Sequence, residues 1–368
     1  MLNVLADENM PFVDELFSGL ANVKKMGGRD MRAEDLIDVD VLLVRSITKV
    51  NEQLLNRANR LRFVGTATIG VDHIDQDYLA ERSIPWSSAP GCNATAVAEY
   101  VISALLALMP GNLQGKTVAI VGAGNIGTRL AVKLEALGVN YFYCDPPKQR
   151  AGSEGDYRDL DAVTQADIIS LHVPIIRKGI DCTEHMVNAE FLNRLKPGAV
   201  LINSCRGDVV DNQALREHLL TKPPLYTVMD VWQNEPMIDL ELLKLVDIAT
   251  PHIAGYSLEG KANGTFALYQ KWCELSGEPA AVRVEDLLPK MAIDKVSINQ
   301  GATEAVITKL VHLIYDIRDD DLLCRRQGID AKGFDNLRKQ YKVRREFSAL
   351  SLDNTDNPML LKQLGFSL

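Results

Sequence analysis

The sequence predicts an α/β protein with two Rossmann-like parallel-sheet domains and a smaller α+β domain at its C-terminus. Short apolar runs alternate with helical stretches up to about residue 255, which is typical of parallel βαβ units. At 368 residues the chain is too long for one compact domain. After Pro279 and Pro289 this alternation of apolar runs and helical stretches does not continue, which indicates a third unit.

Two sets of predicted strands define the first two domains. The first set comprises residues 2–6, 39–44, 61–65 and 84–86, and the second comprises 117–121, 141–144, 167–171, 199–202, 226–229 and 247–249. A long apolar helix over 95–106 is expected to connect the two sets, and a helix over 257–275 is expected to return to the first. The predicted domains are therefore 1–93 completed by 256–285, 94–255, and 286–368.

Composition and charge argue against several classes of protein. The net charge of −9 disfavours a nucleic-acid partner, since such proteins carry basic faces. The longest charge-free apolar run, residues 100–109, is far short of the roughly 20 residues that cross a bilayer, and the first residues lack the basic segment of a signal peptide. Six scattered cysteines without a C-x-x-C pair predict reduced thiols rather than disulfides or a metal site. We therefore expect a cytoplasmic protein with no membrane partner and no bound metal.

A glycine-rich turn in the second domain predicts a dinucleotide site. The turn follows the predicted strand 117–121, opens a helix, and consists of Gly122, Ala123, Gly124, Asn125, Ile126 and Gly127. Glycines at these positions let backbone amides approach a pyrophosphate at the helix N-terminus. Asp145 ends the next predicted strand, 23 residues after Gly122. A carboxylate there accepts hydrogen bonds from ribose hydroxyls and favours NAD over NADP; the alternative is a glycine turn followed by an exposed acid.

Polar side chains follow the later strands of the second set, where ligands of open parallel sheets bind. His252 is positioned to exchange a proton with an alcohol, and Glu235 to hold that imidazole in one tautomer. Arg206 is suited to bind a carboxylate with two hydrogen bonds, and Asp230 to contact a nicotinamide amide. Taken singly, each has a simpler interpretation as a structural histidine, a solvated acid or a turn arginine. The other histidines, His73, His172, His185, His218 and His312, lack an equivalent set of partners and are interpreted as structural.

The first domain carries a candidate anion site at two predicted strand ends. Arg45 and Ser46 follow one strand, and Thr66 and Thr68 follow the next. Hydroxyls, amides and a cation at one sheet edge suit a phosphate group, and Lys49 is a further candidate contact. The alternative is that Arg45 makes a salt bridge.

These motifs resemble the D-isomer-specific 2-hydroxyacid dehydrogenases. The matching segments are GVDHID at 70–75, GAGNIG at 122–127, LKPGA at 195–199, INSCRG at 202–207, DVWQNEP at 230–236 and TPHIAG at 250–255. The resemblance implies NAD-dependent oxidation of a 2-hydroxy acid, with Arg206, Glu235 and His252 as the catalytic residues. It also implies that the first domain binds substrate and the second binds NAD.

A narrower group within that family, acting on a phosphorylated 2-hydroxy acid, resembles nearly the whole chain, including VRSITKVN at 44–51 and FDNLRK at 334–339. By that resemblance Ser46, Thr68 and Tyr256 contact substrate, and Gly255 lies at the cofactor. Val173 stands where the resembled enzymes can carry a threonine at the cofactor, so a backbone contact would remain.

The C-terminal segment, residues 286–368, is expected to hold two subunits together as a homodimer. Val306, Leu310, Leu313, Ile314 and Ile317 fall at helical spacing and predict an amphipathic helix, and the resemblance implies a dimerisation domain. The alternative is a helical appendage packed on its own subunit. The arginines at 344 and 345 either reach a partner's site or are surface charge.

The sequence therefore predicts an NAD-dependent dehydrogenase of a phosphorylated 2-hydroxy acid. Two alternatives remain at this point. One is a different enzyme of the same family, such as a 3-phosphoglycerate dehydrogenase, and the other is a non-catalytic protein that senses NAD.

Overall fold

The structure is a computed structural model that describes residues 2–299, 301–353 and 355–368. The strands are β1 (Leu2–Asp7), β2 (Ala21–Met26), β3 (Val41–Val44), β4 (Phe63–Thr66), β5 (Trp86–Ser87), β6 (Thr117–Val121), β7 (Asn140–Cys144), β8 (Ile168–Leu171), β9 (Val200–Asn203), β10 (Tyr226–Met229), β11 (Ile248–Ala249), β12 (Lys295–Ser297) and β13 (Ser351–Asp353). The α-helices are α1 (Val13–Leu16), α2 (Glu52–Leu55), α3 (Gln76–Glu81), α4 (Ala94–Leu108), α5 (Asn125–Ala136), α6 (Pro146–Arg150), α7 (Leu160–Thr164), α8 (Ala189–Asn193), α9 (Asn212–Thr221), α10 (Leu240–Leu245), α11 (Leu258–Ser276), α12 (Glu304–Ile314), α13 (Ile317–Gln327), α14 (Ala331–Lys339) and α15 (Pro358–Leu364). Short 3-10 turns cover Ala33–Leu36, Gly207–Val209, Val284–Leu287 and Phe347–Ala349.

The chain divides into two compact units. The first contains the residues up to Asn93 together with Ser257–Pro289, and the second contains Ala94–Tyr256 and Lys290–Leu368. The sheet of the first unit has the order β2-β1-β3-β4-β5, and that of the second has the order β11-β10-β9-β8-β6-β7, with parallel pairing throughout both. The predicted α/β class with two parallel-sheet domains is confirmed.

Both sheets are covered on two faces, as their continuous apolar strands predict. In β3, Val41 and Leu43 enter one hydrophobic core while Leu42 and Val44 enter another. In the same way, alternate residues of β6 enter the two cores of the second unit. Because successive side chains point to opposite faces, each of these two strands contributes to two cores, and site residues can follow its carboxyl end.

One strand of the first sheet, β2, was not predicted from the sequence. It lies at the sheet edge beside β1, and its residues are either partly buried or exposed. Lys24 and Lys25 lie within it. An edge strand with charged residues gives a weak apolar signal, since none of its side chains is fully buried.

The C-terminal segment packs on its own subunit in the second unit. Its apolar side chains share a core with α4, α5 and the sheet; those from this segment are Ile298, Ile307, Leu310, Val311, Tyr315, Ile317, Phe347, Leu350, Leu352, Leu361, Leu364 and Phe366. It also forms a small parallel sheet from β12 and β13. The single amphipathic helix predicted across Val306–Ile317 is wrong, because α12 ends at Ile314 and α13 begins at Ile317. These contacts lie within one chain, so the predicted homodimer stays a prediction.

Within the described residues, no helix combines the length and apolar character that crossing a membrane requires.

Candidate active site

The glycine turn connects β6 to α5 and has the geometry of a phosphate cradle. Gly122 has φ +98°, and a Cβ on it would lie 2.5 Å from the carbonyl oxygen of His172. A Cβ on Gly127 would lie 2.1 Å from the carbonyl oxygen of Gly122. A Cβ on Gly124, in contrast, would meet open space among the described residues. The first and third glycines are thus required by the fold, and the second leaves room for a pyrophosphate at the N-terminus of α5.

Asp145 lies at the end of β7 and braces this turn. One carboxylate oxygen accepts a hydrogen bond from the Ala123 amide at 2.9 Å, and the other accepts from the Lys148 amide at 3.1 Å. The Lys148 ammonium binds the carbonyl oxygen of Ala123. Because each carboxylate oxygen can accept a second hydrogen bond, the predicted ribose contact is compatible with this geometry. That contact stays a prediction.

His252 and Glu235 form a hydrogen-bonded pair beyond β11 and β10. The distance from His252 Nδ1 to Glu235 Oε2 is 2.7 Å. Donation from Nδ1 to the carboxylate leaves Nε2 as the basic nitrogen of the neutral ring. The side chains of His252 and Glu235 are 34% and 17% exposed, so the imidazole is accessible while the acid is largely enclosed.

The surroundings of Glu235 keep it ionised. Burial acts to raise the pKa of Glu235, but the imidazole of His252 and the guanidinium of Arg338 outweigh burial, so the pKa lies below its usual value. The backbone amide of Trp232 also donates to Glu235 Oε1 at 2.8 Å. An ionised acid in this position orients the ring and stabilises the imidazolium.

Asp230 braces the loop that carries His252. Its carboxylate accepts from the amides of Ile253 and Ala254 at 2.7 and 3.0 Å and from the hydroxyl of Thr250 at 2.6 Å. The side chain is buried, and burial raises the pKa of Asp230 against these hydrogen bonds. The structure therefore gives Asp230 a structural function that the sequence did not indicate, and its nicotinamide contact stays a prediction.

Arg206 follows β9 in a loop that Asn203 holds in place. Asn203 accepts from the Cys205 amide at 3.2 Å and donates to the Arg206 carbonyl oxygen at 3.0 Å. A Cβ on Gly207 would lie 2.0 Å from the carbonyl oxygen of Trp232. The loop of Arg206 therefore packs against the loop that follows β10.

In the first unit, the predicted phosphate-binding edge contains a linked set of side chains. The hydroxyl oxygen of Thr66 lies 2.8 Å from that of Thr68 and 2.8 Å from Nε2 of His73. Burial, and then the cation of Arg45, lower the pKa of Lys261 to about 8. Lys261, at the start of α11, was missed from the sequence because a lysine on an amphipathic helix usually faces solvent.

Tyr256 is held by two residues of the C-terminal segment. Arg338 on α14 donates to the Tyr256 hydroxyl at 3.2 Å, and the ring of Tyr341 meets the Tyr256 ring edge-on at 5.8 Å between centroids. Neither residue was singled out from the sequence. The interpretation of Arg344 as surface charge is wrong, because Arg344 is 2% exposed and donates to the carbonyl oxygen of Ala254 at 2.9 Å.

Two further predicted cofactor residues, Val173 and Gly255, lie beside the glycine turn and in the loop of His252. Val173 follows His172, and a Cβ on Gly122 would lie 3.1 Å from its Cγ1. Gly255 lies in the turn after His252. Among the described residues, no cluster of metal-ligating side chains is present.

The arrangement suits acid–base chemistry at an alcohol carbon. A histidine backed by an ionised acid can accept a hydroxyl proton while a hydride leaves the same carbon. Bound NAD would supply the hydride acceptor, and the glycine turn and Asp145 are the residues that would hold it.

Comparisons with known proteins identify the family. A family model described as the D-isomer specific 2-hydroxyacid dehydrogenase, NAD binding domain, matches residues 97–254, and a domain of unknown function matches residues 287–365. The chain is 50% identical to an erythronate-4-phosphate dehydrogenase of Pseudoalteromonas translucida over 100% of both chains. It is 47% identical to one of Klebsiella pneumoniae, covering 100% of this chain and 98% of that one. The chain belongs to the erythronate-4-phosphate dehydrogenase family.

A solved structure agrees with this assignment. The D-lactate dehydrogenase of Aquifex aeolicus, complexed with NAD and lactic acid, superposes with a TM-score of 0.58 at 26% identity, covering 75% of this chain and 96% of that one. The resemblance stated from the motifs is thereby confirmed. The chain is an NAD-dependent dehydrogenase, as its sequence predicted.

Proposed function

We propose that this enzyme oxidises 4-phospho-D-erythronate to (R)-3-hydroxy-2-oxo-4-phosphooxybutanoate, a step of pyridoxal 5′-phosphate biosynthesis. The relatives that match the full chain carry the name erythronate-4-phosphate dehydrogenase. The hydrogen bond between His252 and Glu235, at 2.7 Å, is the observation that carries the chemistry.

In the proposed reaction, His252 Nε2 accepts the proton of the C2 hydroxyl while the C2 hydride passes to NAD. The C2–O bond becomes a carbonyl, and the imidazolium is stabilised by Glu235. Arg206 would hold the C1 carboxylate and polarise the neighbouring carbon–oxygen bond. The reverse proton transfer serves the reduction.

The phosphate is proposed to bind at the edge of the first sheet. Arg45, Ser46 and Thr68 are the proposed contacts, and the cation of Lys261 supports an anionic ligand there. A local cation is needed because the chain as a whole carries a net charge of −9, which repels an anion.

We further propose that the enzyme is a cytoplasmic homodimer, with subunits joined through the C-terminal segment. Leu313, Leu322 and Leu323 on α12 and α13 are exposed, whereas other apolar residues of α12, such as Ile307 and Leu310, are buried. Buried thiols at Cys144, Cys205, Cys273 and Cys324 suit a reducing compartment.

A substrate panel tests the proposed reaction. NADH formation is measured with 4-phosphoerythronate, 3-phosphoglycerate and D-lactate at equal concentration. We expect kcat/KM to be greatest for 4-phosphoerythronate, by about 5- to 150-fold over 3-phosphoglycerate, because one carbinol unit is worth ~1–3 kcal/mol in a pocket. A preference for 3-phosphoglycerate would contradict the proposed substrate, and no turnover of any acid would favour an NAD-sensing protein.

A further inference from the structure

The C-terminal segment, which matches a domain of unknown function, contributes Arg338, whose charge lowers the pKa of Glu235 in the proposed catalytic pair. Arg338 lies on α14, about 80 residues along the chain from Tyr256. Its Nη2 nevertheless donates to the Tyr256 hydroxyl at 3.2 Å, and its Cζ lies 5.9 Å from the centre of the Tyr256 ring. All these residues belong to the second compact unit.

The direction of this hydrogen bond determines what Tyr256 can do. A guanidinium has donors and no acceptor, so the Tyr256 oxygen must accept from Arg338. The phenol therefore directs its own proton elsewhere, as a donor. The ring of Tyr341 packs edge-on against the Tyr256 ring at 5.8 Å and restricts its orientation.

The groups around Arg338 raise its pKa despite its burial. Tyr256, Glu235 and Asp230 all favour the charged form of the guanidinium against its burial. The buried Nε of Arg338 has no hydrogen-bond partner among the described residues. An unsatisfied buried donor is unfavourable, so this placement needs an explanation beyond packing.

We propose that Arg338 is a positioning residue of the active site, which holds the Tyr256 hydroxyl as a hydrogen-bond donor toward the anionic substrate. The proposal rests on the proposed function in one respect, that Tyr256 contacts a phosphorylated hydroxy acid. It gives the C-terminal segment a function in substrate recognition by its own subunit, separate from subunit association.

A double-mutant cycle tests this function. Steady-state kinetics are measured for wild type, Arg338→Met, Tyr256→Phe and the double variant, with Arg338→Lys as the conservative replacement. Arg318→Met is the matched control, because Arg318 is an exposed arginine of the same segment that contacts Asp316 and His312.

We expect Arg338→Met and Tyr256→Phe each to raise KM for the hydroxy acid by about 10- to 100-fold, as expected for a hydrogen bond to a charged group. Turnover should change by less than about threefold, and KM for NAD should stay within about twofold. The double variant should lose no more than the worse single variant, because Arg338 acts through Tyr256. Arg338→Lys should recover part of the loss, and Arg318→Met should resemble wild type.

Additive losses in the double variant, or an unchanged KM in Arg338→Met, would overturn the proposal. If Arg338→Met does not fold, the same cycle is run with Arg338→Lys, and additivity there overturns it equally. A different result would contradict the proposed function alone, namely that wild type prefers another acid of the substrate panel. The double-mutant cycle is then measured with that acid. A wild-type protein that neither oxidises any of the acids nor binds them by calorimetry overturns both.

Discussion

His252 adopts a left-handed backbone conformation, with φ +58°, that a histidine seldom takes. The conformation is held by the loop around it, in which the His252 amide donates to the Asp230 carbonyl oxygen at 2.7 Å. Such backbone strain costs of order 1–3 kcal/mol and clusters at functional sites. In this protein the residue with the strained backbone, His252, is the one whose ring is hydrogen-bonded to Glu235.

Replacing His252 with Ala should lower turnover by about 10²–10⁴-fold, because this is the usual contribution of a positioned acid–base group. Binding of NAD, measured by fluorescence titration, should change little, since the glycine turn lies elsewhere on the sheet edge. His185→Ala, at an exposed histidine, is the matched control. Turnover of the His252 variant within a few-fold of wild type would remove His252 from the catalytic function.

A second histidine, His172, should make the protein sensitive to acid. Burial lowers the pKa of His172 to about 3, and its Nε2 lies 2.8 Å from the Ser170 hydroxyl oxygen. In the unfolded chain the imidazole of His172 binds a proton near pH 6.5, whereas in the folded chain it does not. The free energy of unfolding therefore falls as pH falls below about 6.5. The free energy of unfolding should therefore drop by about 2 kcal/mol between pH 7.5 and pH 5 from this group alone.

Urea unfolding of wild type and His172→Gln at both pH values checks this sign. The variant should be less stable than wild type at pH 7.5, but it should lose less stability on acidification. An equal loss in the two proteins would show that His172 remains uncharged in the unfolded state or is charged in the folded one.

At the scale of elements, the sequence predicted those strands that are buried on both faces. Continuous apolar runs locate β6 and β9 to within about two residues, and the side chains after them are those at the carboxyl edge. The helical spacing of apolar residues continues from Ile314 to Ile317 although the chain turns at Tyr315, so periodicity could not show that break. The spacing of apolar residues shows which face of a helix is buried, but it does not show where the chain changes direction.

The unpredicted parts of the site share one physical reason. Arg338 and Lys261 lie on helices, where a basic residue normally covers a solvated face. Their proximity to Tyr256 and Arg45 depends on tertiary packing between segments distant in sequence. The bracing functions of Asp145 and Asp230 were also missed, because their partners are backbone amides that carry no sequence signal.

A buried ion pair connects three helices of the second unit. Lys133 on α5 lies 3.2 Å from Glu99 on α4, with side chains 5% and 1% exposed. Lys133 also binds the carbonyl oxygen of Leu364 at the end of α15, and Glu99 accepts from the Phe347 amide at 3.0 Å. Burial raises the pKa of Glu99 despite the attraction of Lys133.

Replacing Glu99 with Met should destabilise the protein by about 3–5 kcal/mol, because the ammonium is left buried without its counter-charge. The double replacement of Glu99 and Lys133 with Met should cost less than the single one. Chemical denaturation measures both. The exposed pair Lys244–Glu241 is the control, where removing one charge should cost ~0–1 kcal/mol. A double variant less stable than Glu99→Met would contradict this expectation.

At the scale of the whole molecule, an acidic protein binds anionic ligands through a few placed cations. The net charge is −9, while Arg45 and Lys261 in one unit and Arg206 and Arg338 in the other lie near the carboxyl edges of their sheets or the loops that follow them. The C-terminal segment contributes one of these cations and also fills the core around α4 and α5. Its contribution to the fold and its proposed contribution to the site are therefore made within one subunit.

Subunit association is a separate proposal for the same segment, and its surface can be tested alone. Leu322 on α13 is 47% exposed, whereas Leu220 on α9 is 64% exposed outside the C-terminal segment. If two subunits meet through the C-terminal segment, Leu322→Asp places an unpaired charge in an apolar contact and should shift the protein from dimer to monomer in sedimentation velocity. Leu220→Asp should leave the dimer intact. A monomeric wild type, or dissociation by Leu220→Asp alone, would contradict association through this surface.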